Sequence, residues 1–568
     1  MKNKSQNFIL IMFLLGIFIG AMDTGIVSPA RAVIGSGLGI DASVSIWIIT
    51  IYTLAYAVIM PISGKLSDKY GKKKIFIYSI IIFGIGSALC GISNFYGGFN
   101  LILIGRLIQA VGGGGIMPIA TAYIGTSFPV EKRGTALGMV GATYGIATTI
   151  GPTIGSALLN FVGNENWGTV FFINVPICII VVLMSLKFKD DEVELSSIKM
   201  DIKGSIVISG MILSLMYGLT NLKFHDFINS IKSIEVYPYL IIFIVLLPIF
   251  LYIEKRAESP VLNLNYFKDR NIAITLLLSF IVGAGLMGIV FVPQFAENVL
   301  RIKVGTGGYL VTLMAIFSGI AAPIGGKIID KYSAKLILLL GFGSTILGTL
   351  TLGLCVSQNN NKVALFIGLA LMGIGMGFTM GTPLNYLMQT YVDPSEAATA
   401  QSTLSLIRSI GVAISPNILV NFVSEAGKEL PTKLMNVMPP VQGAPSNIMS
   451  GGGSLPADTL ASLQSADVTS IVDVLKKFAS TMFNKFSPML EKSIGSKLPP
   501  HTSASTVVNG IKDKYLTSVE ASRGTIESTF QQTMNNGFAK LFIAAAIIAL
   551  IGFVFSILIK KGKTETAR

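Results

Sequence analysis

Asp23 stands inside the apolar run "FILIMFLLGIFIGAMDTGIV", where a charge is expensive and must meet a cavity or a partner. In a cavity such an acid can take up and release a proton. The other reading is structural: a carboxylate held permanently by a cation, or one capping a helix break near Gly25. Arg106 sits in the middle of a second apolar run, with Gln109 one turn on and facing the same side. A cation there is expected to be functional or to donate hydrogen bonds to backbone carbonyls. Arg31 and Arg408 also lie within or at the ends of apolar runs.

A different chemistry is written twice. "GKLSDKYGKKK" (64–74) and "GKIIDKY" (326–332) share Gly, Lys, Asp, Lys and Tyr in the same order and spacing. Gly64 lets its helix end approach a neighbour closely. Asp68 can then lie against a helix N-terminus elsewhere, where the partial positive charge favours an acid, and a nearby cation such as Lys72 can add a charge-assisted bond. Asp330 is placed to make the mirror contact. Simple anchoring by positive charge explains the lysines but neither Gly64 nor Asp68. A second pair, "PVEKRG" (129–134) and "PSEAAT" (394–399), echoes the first.

These residues need elements that hold them in a membrane. Of 568 residues 52% are hydrophobic and 13% charged, about half the charged share of a soluble domain, and the mean hydropathy is +0.69. The apolar runs are too long and too unbroken for barrel strands, so the fold class is all-α and membrane-spanning, with fourteen expected helices. The net charge of +14 is spread between the spans and reads as topology control, not as a nucleic-acid surface. Lys65, Lys69, Lys72, Lys73, Lys74, Lys132, Arg133, Lys255, Arg256, Lys327, Lys331 and Lys335 all fall in loops on one side. With an even number of spans, both termini are expected in the cytoplasm. Cys90, Cys178 and Cys355 lie in apolar spans and are expected as free thiols. His225 and His501 have no Cys or His partner in sequence, so no metal site is expected. Gly112–Gly115 lacks the Lys-Ser/Thr of a phosphate loop and reads as close helix packing. The segment 424–536 is expected as a long outer loop: a flexible Pro/Gly/Ser lead, then amphipathic helices.

On these residues the chain resembles the major facilitator superfamily, in its fourteen-helix drug:proton antiporter branch. "GKLSDKYGKKK" is similar to the superfamily's loop 2–3 signature. "MDTGIV" (22–27), "IGRLIQAVGGGG" (Arg106, Gln109), "GIATTIGPTIGS" (Gly145, Gly151, Pro152, Gly155), "WGTVFFINVP" (Asn174) and "LIRSIGVAI" (Arg408) resemble branch motifs in the right order. The resemblance covers everything but the outer loop. It implies two six-helix bundles, 1–190 and 269–568, with an inserted pair at 191–268.

It further implies a multidrug efflux antiporter in the cytoplasmic membrane of a bacterium, with no cofactor beyond a proton gradient and with alternating access as its mechanism. Proton coupling falls to Asp23 and Arg106, and a cytoplasmic latch to Gly64, Asp68, Lys72 and Asp330. Gly145, Gly151, Pro152 and Gly155 make an interface between halves. Arg31, Gln109, Asn174 and Arg408 belong to the cavity or its coupling. Three cations against one deep acid point to a neutral, zwitterionic or anionic amphipathic substrate. The expected partners are that substrate, protons and lipid, for a protein acting as a monomer. Export of a lipid-like metabolite is the alternative, favoured by outer helices able to lie on a membrane. A sensor built on a transporter scaffold and an uptake symporter fit the residues less well, and no nucleophile–base or metal constellation supports an enzyme.

Overall fold

The computed structural model describes residues 2–96, 98–187, 200–286, 291–300, 308–359, 361–440, 470–495 and 503–559. The Pro/Gly/Ser-rich lead from 441 to 469 and His501 lie outside the described residues. Among those described, all regular structure is helical. Lipid offers backbone groups no hydrogen bonds, and a helix satisfies them internally.

The first bundle contains α1 (Lys2–Gly37), α2 (Trp47–Tyr70), α3 (Lys72–Tyr96), α4 (Gly98–Ser127), α5 (Val130–Val162) and α6 (Asn174–Leu186). The inserted pair is α7 (Ile202–Asn221) and α8 (Tyr237–Arg256). Then come α9 (Arg270–Leu286), α10 (Gly308–Lys331), α11 (Ala334–Leu350), α12 (Lys362–Met380) and α13 (Ala397–Val437). Two outer helices follow, α14 (Ile471–Gly495) and α15 (Ala504–Ala521), and α16 (Arg523–Ile557) ends the described chain. The stops and starts are local. Gly71 ends α2 at φ 98 and Gly163 ends α5 at φ 87, backbone angles that favour glycine. Asp201, Ser333 and Asn361 cap α7, α11 and α12 with their side chains.

Within the first bundle α1 packs on α5, and α4 on α2 and α3. In the second, α9 packs on α13, α10 and α11 on α12, and α16 on α11 and α13. The two groups meet where α5 crosses α10 and where α2 crosses α13. The inserted pair packs on itself and, through α7, on α2 and α13. Its α8 leaves Ile241, Ile244, Val245 and Tyr252 exposed, an apolar face suited to lipid.

Thirteen helices among the described residues are long and apolar enough to cross a membrane. Of the expected ninth span, 271–292, residues 287–290 lie outside the described residues; α9 covers the 17 residues before them, and the short helix Val292–Asn298, with Pro293 in its first turn, lies after them.

The outer segment also departs from expectation. α13 does not stop near 423; its 41 residues span about 62 Å, roughly twice the hydrocarbon thickness. The helix of the last span starts at Arg523, so the outer stretch before 537 runs straight into that span. The projecting ends of α13 and α16 join α14 and α15 around a core of their own: Leu430, Leu434, Leu475, Phe483, Val519 and Phe530. Arg523 grips Glu520 with two nitrogens, at 2.5 and 2.9 Å, and Lys476 of α14 pairs with the same carboxylate. These bonds, Arg523 first, hold the Glu520 carboxyl down at about 2. The apolar faces of the outer helices are therefore turned on each other, and a location on the membrane surface is not what they are built for.

Candidate functional site

Five helices bring a buried polar cluster together in the first bundle. α1 supplies Asp23, α4 supplies Arg106 and Gln109, α3 supplies Ser87 and α6 supplies Asn174 at its first residue. α2 contributes the Ile48 carbonyl. Asp23, Gln109, Asn174 and Ser87 are 0% exposed and Arg106 is 1%. Arg106 Nη1 donates to Asp23 Oδ2 at 2.7 Å and to Gln109 Oε1 at 2.5 Å, while its Nε donates to Ile48 O at 3.1 Å. Asp23 Oδ1 accepts from Gln109 Nε2 at 2.8 Å and Asn174 Nδ2 at 3.0 Å. Ser87 Oγ accepts from both amides, at 2.7 and 3.4 Å. The Tyr52 ring lies 3.9 Å from the Arg106 guanidinium carbon. A charged pair survives in such a place because every partner is oriented toward it.

α1 runs unbroken through Gly25, so Asp23 caps no helix break. Sequence reasoning named Asp23, Arg106, Gln109 and Asn174. It missed Ser87 and Tyr52, which nothing in "GIGSALCG" or "IYTLAYA" marks apart from other membrane serines and tyrosines.

Two further sites bind the bundles together at one end. Asp68 of α2 accepts from Ala398 N at 3.0 Å, Thr399 N at 2.8 Å and Thr399 Oγ1 at 2.7 Å, all in the first turn of α13. Lys72 Nζ is 3.7 Å from Asp68 and donates to the Pro394 carbonyl at 3.4 Å. Asp330 of α10 accepts from Gly134 N at 2.7 Å, Thr135 N at 2.8 Å and Thr135 Oγ1 at 2.7 Å, near the start of α5. A Cβ on Gly64 would lie 2.7 Å from the Ala398 carbonyl, so only glycine permits this approach.

The Asp68 contact has a support that sequence reasoning missed. Glu396, which precedes α13, accepts from Tyr266 Oη at 2.8 Å and Asn263 Nδ2 at 2.9 Å, both in the segment between α8 and α9. Glu254 of α8 is 3% exposed and accepts from the Val261 and Leu262 amides of that segment at 3.2 and 3.3 Å. Burial and the Glu396 carboxylate both push the Tyr266 hydroxyl above its ordinary range, which keeps it a donor.

The small residues of α5 divide into two sets. Gly145 faces the other bundle, near Ser318 and Met376. Gly151 and Gly155 do not: a Cβ on either would meet Met22 O or Ile26 O of α1 at 2.7 or 2.5 Å. Pro152 abuts Gly25 of α1. Proline cannot donate to the Thr148 carbonyl, and Gly25 packs onto that carbonyl instead. So Gly151, Pro152 and Gly155 seat α1, and hence Asp23, inside one bundle. The interface between bundles falls to Gly134, Gly138, Gly141 and Gly145, against α10 and α12.

Arg31, two turns beyond Asp23, donates to Ser45 Oγ at 3.2 Å. Arg408 of α13 is 6% exposed and stands apart from the Asp23 cluster. Cys90, Cys178 and Cys355 are free thiols.

The family model for the Major Facilitator Superfamily matches residues 13–416. The chain belongs to this superfamily. It is therefore a membrane transporter, and the repeated carboxylate contacts lie between the superfamily's two bundles. The MFS-type transporter YfiU of Bacillus subtilis (strain 168) is 36% identical over 76% of this chain and 83% of its own length. Multidrug resistance protein 3 of the same organism is 34% identical over 73% of this chain and 79% of that protein. The multidrug transporter protein MdtP is 30% identical over 72% and 74%. Among solved structures, the proton:xylose symporter XylE aligns with a TM-score of 0.54 at 11% identity, covering 76% of this chain and 91% of that one. At that identity it speaks for the fold alone.

Proposed function

We propose that this transporter exports small amphipathic compounds across the cytoplasmic membrane of a bacterium in exchange for protons. The observation that carries the proton role is the Asp23–Arg106 pair, sealed among Gln109, Asn174 and Ser87 within the membrane. Protonation of Asp23 would replace an ion pair with weaker neutral contacts. Breaking a buried pair shifts the balance by about 3–5 kcal/mol, enough to move a two-state equilibrium from one side to the other. Seating α1 on Gly151 and Gly155 lets a change at Asp23 reach α5, whose other face touches the second bundle. The Asp68 and Asp330 contacts hold the cytoplasmic end shut, and their release opens it. The kinship with Multidrug resistance protein 3 and MdtP supports drug-like cargo. The alternative, a lipid-like metabolite, loses its main support because the outer helices bury their apolar faces in one another.

The test is proton flux in proteoliposomes driven by the neutral dye N-phenyl-1-naphthylamine, read with a pH probe in the lumen. Wild type should couple dye movement to protons, and Asp23→Asn should lose that flux by tenfold or more, about 1.4 kcal/mol of coupling. Equal flux in both proteins would overturn the proton assignment.

A further inference from the structure

The arginine count looks different in three dimensions. Arg106 is neutralised by Asp23, and Arg31 bonds Ser45 at the far end of α1. Arg408 remains. It is 6% exposed, and among the described residues its Nε and Nη2 find no hydrogen-bond partner. Its electrostatic neighbours there are the Tyr144 and Tyr56 hydroxyls, with no carboxylate among them. A buried cation without a carboxylate partner is costly.

The fold does fix its position. α9 backs onto it at Gly283, where a Cβ would lie 2.2 Å from Arg408 O and 3.2 Å from Cγ. Opposite stand Tyr56 of α2 and Tyr144 of α5, both from the first bundle. Tyr56 stacks on Tyr52 at 5.6 Å, and Tyr52 covers Arg106, so the Arg408 site is two rings away from the Asp23 pair. The Tyr52 hydroxyl is also buried without a hydrogen-bond partner among the described residues.

We propose that Arg408 seats a negatively charged headgroup of the transported amphipath. Tyr56 and Tyr144 flank that headgroup across the bundle interface. This rests on the export reading and names its substrate class: carboxylates, sulfonates or phosphates carrying an apolar body. The guanidinium offers two unused donors to such an oxyanion, a geometry that lysine reproduces only as a point charge.

The test uses two probes with one skeleton: 8-anilinonaphthalene-1-sulfonate and the neutral N-phenyl-1-naphthylamine. Saturable binding of each is measured on the purified full chain in lipid nanodiscs, for wild type, Arg408→Lys and Arg408→Met. Wild type should bind the sulfonate more tightly than the neutral probe. Arg408→Met should lose sulfonate affinity on the order of 10- to 100-fold and keep the neutral probe, with Arg408→Lys in between. Unchanged sulfonate binding in Arg408→Met, a wild type that binds only the neutral probe, or equal loss of both probes in both variants would each overturn the proposal. Transport of the same probes in proteoliposomes separates the two readings. A protein that binds the sulfonate through Arg408 yet moves neither probe keeps the site and refutes export.

Discussion

Asp68 and Asp330 grip the start of a helix from the opposite bundle in the same way. Each accepts two backbone N–H groups and one threonine hydroxyl, at 2.7 to 3.0 Å. Their surroundings differ. At Asp330 two glycines face each other: a Cβ on Gly326 would lie 2.3 Å from the Gly134 carbonyl. At Asp68 the partner of Gly64 is Ala398, and the first obstacle to a Cβ is the Ser402 hydroxyl at 2.2 Å. The Asp68 contact is instead buttressed by Glu396, which Tyr266 and Asn263 hold from beyond the inserted pair. The two copies share the carboxylate–helix contact and a close glycine, and the segment after the inserted pair adds Tyr266 and Asn263 on Glu396 at the Asp68 corner. The backbones approach more closely at Asp330, and a side-chain brace stands beside Asp68.

The largest effects should come from the glycines. Gly326→Ala sets a methyl 2.3 Å from the Gly134 carbonyl, whereas Gly64→Ala meets the Ser402 hydroxyl, which can rotate away, and the Ala398 carbonyl at the longer 2.7 Å. Nitroxide pairs at exposed positions 132 and 332, and at 70 and 395, report each contact by pulsed electron resonance. Gly326→Ala should separate the first pair almost fully, at a cost in the 1–3 kcal/mol range of overpacking or more. Gly64→Ala should broaden the second only in part, and Ser402→Gly should restore some of that loss. Equal disruption by the two alanines would remove the distinction drawn between the contacts.

Next come the acids. An aspartate that accepts three hydrogen bonds loses charge assistance when replaced by asparagine, a loss of about 2 kcal/mol. Asp330→Asn and Asp68→Asn should each open their own nitroxide pair, and Asp330→Asn the further of the two, because Glu396 still holds the other corner. A larger opening in Asp68→Asn would show that the brace contributes nothing.

The repeat made the bundle plan, the Asp68 contact and its Asp330 copy legible in sequence, because a carboxylate beside a glycine at a membrane corner has few other uses. Asp23, Arg106 and Gln109 were legible for a related reason: few polar groups occur in membrane runs, and each demands an explanation. Ser87 and Tyr52 were not, since serine and tyrosine are ordinary there until a neighbour from another helix arrives. Gly151 and Gly155 were visible as small residues but not as to which neighbour they admit, since α5 has two packed faces and spacing alone does not separate them. The outer helices were recognisable as amphipathic, yet whether an apolar face meets lipid or another helix depends on partners far away in the chain. The same limit hid Tyr266, which lies in a short polar connection and acquires its meaning only from Glu396.

Tyr266→Phe is the smallest change and isolates the brace. It removes one hydroxyl donor to a carboxylate that keeps Asn263, and leaves ring packing intact, for a loss of about 1.5 kcal/mol. Because burial and Glu396 raise the Tyr266 hydroxyl above its ordinary value near 10, the folded state favours the protonated form. The stabilisation that this gives is fully present below pH 10 and fades only as pH climbs beyond it. The variant should therefore widen the 70–395 distance distribution by the same amount at pH 6 and pH 9. The 132–332 pair should stay at its wild-type distance, since Tyr266 and Glu396 bond at the Asp68 corner. If the two pairs widened together, the brace would be acting on the whole molecule and not on one of its two corners.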